Sequence, residues 1–287
     1  THGQSGKAVR VRVCIKSRGQ RLNWDCHVHV FGPAAQFPVA SARGYTPPVR
    51  TLAQLEEAAA SAGIQHLVLV QPSVYGTNLL CMLEALRAGA GRHRGVAVVG
   101  AGIAEAELEN LHALGVRGVR FNLVSPDGNG LEGFDEIARK IAPLGWHIQF
   151  LIAPEDLRRV QELRKRTAVP FVLDHFAGLT VAHGQDGEHA GVLRELLVRS
   201  DCWIKLSGFY RLSNDRGYRD LDPLLLELAT IAPDRIVWGS DWPHTWFFPG
   251  KHGSPPAYAA TLAPVERCLP AELRQKALQN NPWRLYL

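Results

Sequence analysis

Short apolar runs rich in Val, Ile, Phe and Trp recur about every 30 residues, and the stretches between them place apolar residues at helical spacing. Eight runs read as strands: 24–31, 66–73, 95–100, 116–122, 146–152, 170–175, 202–207 and 235–241. Helices are predicted over 51–62, 77–90, 104–114, 132–143, 155–166, 188–200, 220–231 and 264–280. Thr51 with Gln54 forms a possible capping box, and Gly63 and Gly115 stand where helix ends favour a left-handed residue. Strands that are almost wholly hydrophobic are buried on both faces. Eight β–α units of this kind predict an α/β fold, a single-domain (β/α)8 TIM barrel over residues 23–287. The stretches 31–50, 122–131, 176–189 and 241–262 follow strands and exceed ordinary connection lengths. In a barrel they lie at the C-terminal face, where sites are built. No Gly-x-Gly-x-x-Gly follows the first strand, which disfavours an open dinucleotide-binding sheet.

Composition narrows the classes further. Hydrophobic residues make up 46% and charged residues 21%, an ordinary globular balance, and no apolar run is long enough to cross a bilayer. The net charge of +5 would raise nucleic acid as a partner, but Lys7, Arg10, Arg12, Lys16, Arg18 and Arg21 crowd residues 1–22, which hold no acidic residue. Without these six the chain has 26 basic and 27 acidic residues. Residues 1–22 are read as a basic arm or extension outside the barrel, and neither nucleic acid nor a membrane is expected as a partner. Five scattered cysteines without a Cys-x-x-Cys pair fit a reduced, cytoplasmic setting.

The candidate chemistry sits at strand ends. His27 and His29 alternate with Cys26, Val28 and Val30, so the two imidazoles are expected to face the barrel mouth and the other three the helices. Asp174-His175 closes the sixth run, and Asp241, followed by His244, closes the eighth. A closed barrel would bring His27, His29, His175 and Asp241 around one axis. Asp241 is expected to act as general base, the three histidines to polarise a carbonyl, and His244 to orient either. Arg120 and Arg211 are carboxylate anchors by chemistry. His27, His29, His175 and Asp241 would also be good ligands for a single zinc ion. Arg92-His93-Arg94 precedes a strand and is expected in a solvated loop, and Lys205 is read as a structural ion pair rather than a Schiff-base lysine.

The motifs Asp25-Cys26-His27-Val28-His29-Val30-Phe31-Gly32-Pro33, Gly44-Tyr45-Thr46-Pro47, Gln71-Pro72-Ser73, Val119-Arg120-Phe121-Asn122, Leu173-Asp174-His175 and Gly239-Ser240-Asp241-Trp242-Pro243-His244 resemble the amidohydrolase superfamily. The likeness runs from about Asn23 to Tyr286 and is closest to the amidohydrolase-2 branch that includes 2-pyrone-4,6-dicarboxylate lactonases. It implies a hydrolase opening a carboxylated lactone in aromatic catabolism, with Tyr45 and Ser73 at substrate-contacting positions. Metal-dependent relatives carry a lysine on the fourth strand or a histidine on the fifth, where this chain has Arg120 and Gln149, taken as substrate-binding residues. The resemblance therefore implies that no cofactor is required. It also leaves Phe176-Ala177-Gly178 where the pyrone lactonases have a further arginine, so the substrate need not be the dicarboxylate pyrone itself. The competing readings are a zinc-dependent decarboxylase or hydrolase of the same barrel, a sugar-lactone isomerase, and an anion- or nucleic-acid-binding module using the basic arm.

Overall fold

A computed structural model describes residues 22–40, 45–125, 128–183, 186–248 and 253–287. The basic arm therefore lies outside the described residues but for Leu22. Eight parallel strands pair in sequence order: β1 Trp24–Val28, β2 His66–Val70, β3 Arg94–Ala97, β4 Val116–Asn122, β5 His147–Leu151, β6 Phe171–Leu173, β7 Cys202–Leu206 and β8 Ile236–Trp238. The sheet closes where Val28 bridges Trp242 in parallel, with His29 N donating to Trp242 O at 2.8 Å and Asp241 N to His27 O at 2.8 Å. Helices α1 Leu52–Ser61, α2 Leu80–Ala88, α3 Glu105–Ala113, α4 Phe134–Ile141, α5 Leu157–Arg164 and α6 Glu188–Arg199 follow the first six strands. After β7 come a single turn, α7 Phe209–Leu212, and then α8 Asp222–Ile231. This is the expected barrel. Thr51 forms the capping box with Gln54 at the start of α1. No helix among the described residues is long and apolar enough to cross a membrane.

The helix expected over 264–280 is broken into α9 Ala263–Cys268 and α10 Ala271–Gln275, followed by a π turn at Lys276–Asn280 and α11 Asn281–Tyr286. Pro270 explains the first break, because the residue before a proline avoids the helical region and Leu269 is extended at φ −88°, ψ 134°. Nor is the Arg92–Arg94 segment a solvated loop. His93 is buried, its Nε2 2.9 Å from Glu56, while Arg94 donates to the Tyr286 carbonyl at 3.1 Å.

The apolar residues sort into an outer layer under the helices and an inner plug. Val68, Val70, Val96, Val172, Trp203 and Val237 point inward from alternate strand positions and pack with Trp24, Cys26 and Tyr286. Cys26 was expected to face the helices. The pairing register of β1 shifts between Asp25 and Val28, and such a bulge lets Cys26 and His27 both face inward while Val28 joins the outer layer. Tyr286 seals the N-terminal end, 6.1 Å from the Trp24 ring and 5.4 Å from His147. Asn281 fixes its helix by donating to the carbonyls of Pro233 and Ile236 at 3.0 and 2.8 Å.

The Tyr286 hydroxyl is buried with no hydrogen-bond partner among the described residues, so its ring rather than its oxygen supports the barrel. Tyr286→Phe should be at least as stable as the parent in urea unfolding. Tyr286→Ala should lose about 3–5 kcal/mol, the cost of an emptied aromatic site.

Candidate active site

Two turns at the C-terminal face deliver polar side chains. Val172 on β6 and Asp174 just beyond its end point inward by ordinary alternation. The next residue should point outward, but the backbone turns left-handed at His175, Phe176 and Ala177 (φ 50°, 54° and 56°), and His175 swings back over the mouth. Asp241 lies two residues beyond the inward-facing Gly239 and is itself left-handed at φ 61°. Such strained positions concentrate at functional sites. Two glycines make room: a Cβ on Gly239 would lie 2.6 Å from the His27 Cβ, and one on Gly208 2.7 Å from the His175 ring.

Asp241 is completely buried and its two oxygens face different partners. Oδ2 accepts from the Tyr210 hydroxyl at 2.5 Å and from Arg211 Nε at 2.9 Å. Oδ1 has no hydrogen-bond partner among the described residues and faces His29 Nε2 at 3.4 Å and His27 Nε2 at 3.6 Å. His175 Nε2 stands 3.8 Å from Oδ2. Burial alone would favour the neutral acid, but Arg211 and His175 hold the Asp241 carboxyl well below the usual carboxylate range. Asp241 is thus ionised at neutral pH. His175 is neutral there, its pKa pushed down to about 4 chiefly by burial.

Below this layer lies Asp174, also fully buried. Its Oδ1 is 3.1 Å from His27 Nδ1 and 3.4 Å from Lys205 Nζ. Its Oδ2 accepts from Arg120 Nε and Nη2 at 3.1 and 3.0 Å and from Gln149 Nε2 at 3.0 Å. Lys205 also donates to Gln149 Oε1 at 2.7 Å. Burial lowers the Lys205 pKa against the pull of Asp174.

A cavity of about 340 Å³ opens above these groups. Its walls include His29, His175, Asp241, Tyr45, Ser73, Arg120 and Arg211, seven of the residues singled out in the sequence. Three others lie elsewhere. His27 is at the floor with no exposure, and Gln149, expected to bind substrate, is fully buried beneath it and holds Lys205 and Asp174 instead. His244, expected beside the reacting groups, stands edge-on to Tyr210 at 5.3 Å, so it backs the residue that holds Asp241. Burial lowers its pKa to about 4. Arg211 is not a solvated surface arginine: its side chain is 21% exposed, and Nη2 also donates to Thr245 at 3.1 Å. Asp174, Tyr210 and Asn122 were not singled out as site residues. Asn122 lines the cavity and donates to the Ser73 hydroxyl at 2.6 Å, which leaves that hydroxyl's own proton for a ligand. Asp174 had a signal, an acid ending a hydrophobic strand, whereas Tyr210 sits on the one-turn α7 that the pattern did not predict. A larger depression of about 940 Å³ lies between α5 and α6, but the buried carboxylates and histidines converge on the smaller cavity.

The donor set fits a divalent cation. His29 Nδ1 lies 2.7 Å from the Val70 carbonyl, which can only accept, so in the neutral ring the proton is on Nδ1 and Nε2 presents a lone pair. With His27 Nε2 and Asp241 Oδ1 also unpaired, three acceptors converge, and these atoms lie within 4.8 Å of one another. The four-ligand set expected from the sequence is divided, because His175 groups instead with His27 and Asp174.

Comparison with known proteins agrees with this geometry. Residues 24–287 match the amidohydrolase family. The chain is 36% identical over 275 residues to a 2-pyrone-4,6-dicarboxylate hydrolase of Comamonas testosteroni, covering 91% of this chain and 89% of the relative. It is also 36% identical over 268 residues to a 4-sulfomuconolactone hydrolase of Rhizobium radiobacter, covering 92% and 89%. A crystal structure from Acinetobacter baumannii, assigned as a 2-pyrone-4,6-dicarboxylic acid hydrolase with citric acid bound, superposes with a TM-score of 0.78 at 27% identity, covering 92% of this chain and 98% of that one. An ionised aspartate and three histidines at the mouth of an eight-stranded barrel, matched along nearly the whole chain, make this protein an enzyme of the amidohydrolase family.

Proposed function

We propose that the protein hydrolyses a small lactone carrying at least one acidic group. The observation that carries this reading is the pairing, in one cavity, of an ionised Asp241 whose Oδ1 is unpaired with a buried arginine, Arg120, whose Nη1 has no partner among the described residues. The relatives whose names describe a pyrone dicarboxylate and a sulfonated lactone support the same class of cyclic, acidic ester.

The substrate's acidic group meets Arg120 and the Ser73 hydroxyl, which places the ester carbonyl over Asp241. A water oxygen attacks the carbonyl carbon while Asp241 Oδ1 takes its proton. Arg211 and Tyr210 keep Oδ2 occupied, so the carboxylate cannot turn away. Collapse of the tetrahedral intermediate breaks the ring C–O bond, and the proton on Asp241 passes to the departing ring oxygen. The product is the open-chain acid. His175, on the cavity wall, is placed to steady the developing oxyanion where Ser207, 2.8 Å from its Nδ1, donates there and leaves the proton on Nε2. His27, His29 and Asp241 would hold a divalent ion, which would supply Lewis-acid polarisation of the ester carbonyl.

Ring opening of carboxylated pyrones and muconolactones, followed by absorbance in chelator-treated and in zinc-resupplied protein, tests the proposal. Turnover is expected in at least one of these states, and failure on every acidic lactone in both would refute it. Asp241→Asn should lower kcat by about 10²–10⁴-fold, the usual contribution of a positioned base. Arg120→Lys keeps the charge beside Asp174 but loses the fork. It should raise KM roughly tenfold or more for an acidic lactone while leaving the KM of its uncharged ester analogue near that of the parent. Because the pKa of His175 is about 4 and that of Asp241 is depressed well below the usual carboxylate range, kcat/KM should stay level from pH 8 to about 5 and fall toward pH 4 as His175 takes up a proton, with Asp241 still ionised there.

A further inference from the structure

The carboxylate beneath the cavity floor touches both halves of the site. Asp174 Oδ2 holds one edge of the Arg120 guanidinium through Nε and Nη2, leaving Nη1 toward the cavity. Asp174 Oδ1 faces His27 Nδ1 at 3.1 Å. Lys205 Nζ is also 3.3 Å from that nitrogen, but Lys205 already has acceptors in Gln149 Oε1 at 2.7 Å and in Asp174. If Nδ1 accepted from Lys205 instead, its lone pair would oppose an ionised carboxylate oxygen. A lone pair on Nε2 faces a carboxylate too, but Asp241 Oδ1 lies beyond hydrogen-bond distance whereas Asp174 Oδ1 lies within it, so the proton sits on Nδ1, donated to Asp174, and the lone pair on Nε2. That lone pair points at the reacting centre 3.6 Å from Asp241 Oδ1.

We propose that Asp174 is a positioning residue that fixes His27 as the Nδ1–H tautomer and Arg120 as an open-edged anchor, so that one buried carboxylate sets both the reacting centre and the grip on the substrate's acidic group. The second half rests on the lactonase reading; the first does not. His27 then acts as an acceptor at the centre rather than as a donor to an oxyanion, which corrects the role first expected of it. Partners in the second layer of this kind are worth about 10–100-fold in activity.

Nitrogen-15 NMR of histidine-labelled protein, freed of metal by chelator, reads the tautomer without any substrate. The His27 signal is assigned by its loss in His27→Gln. A protonated Nδ1 with an unprotonated Nε2 is expected; a protonated Nε2, alone or with Nδ1, overturns the proposal even if lactone hydrolysis is established. In Asp174→Asn, kcat per folded molecule should fall about 10–100-fold and KM should rise for an acidic lactone but not for its uncharged ester analogue. Unchanged kcat and KM per folded molecule would reduce Asp174 to a structural role. If that variant does not fold, the tautomer of the parent protein decides alone; and if no lactone is opened, a correct tautomer still upholds the first half while the function fails.

Discussion

The constraint on which the rest depends is the closure of the barrel between its first and last strands. β8 is only three residues long, so an extended ladder does not close the seam. Asp25 substitutes for part of it: Oδ1 accepts from the His27 and Ser240 amides at 3.0 Å each, and Oδ2 from the Tyr258 hydroxyl at 2.6 Å. Burial raises the Asp25 pKa to about 6 despite these donors. His27, His29 and Asp241 belong to this same seam, which makes the site and the closure of the fold one structure.

The interior then alternates in character with height. Apolar side chains fill the lower half, whereas the layer above holds Asp174 with Arg120, Lys205 and His27. Buried ionic clusters of this kind seldom maximise stability, since desolvation offsets their attraction. Their value here is directional. Histidines aside, the charged groups that line the cavity are Arg120 and Arg211 against Asp241, which favours an anion by one unit.

Much of this was legible in the sequence because it follows from periodicity. Alternation, together with the ends of hydrophobic runs, located eight strands and the convergence of His27, His29, His175 and Asp241. What escaped depended on local departures from periodicity or on distant partners. The bulge in β1 turned Cys26 inward, and the left-handed backbone at His175 let two consecutive residues, Asp174 and His175, both serve the interior. Gln149 has the right parity but the wrong height, a distinction that alternation does not carry. His93 is buried because Glu56, 37 residues earlier, meets it, and no local pattern announces such a partner.

The position of Cys26 has a consequence of a different kind. Its thiol lies next in sequence to a histidine of the site, yet it is sealed inside the barrel with no exposure, and burial raises its pKa well above that of a free thiol. Alkylating reagents and peroxide therefore cannot reach it in the closed molecule. Modification of Cys26 becomes a record of how often the barrel opens, made by an atom that takes no part in the chemistry beside it.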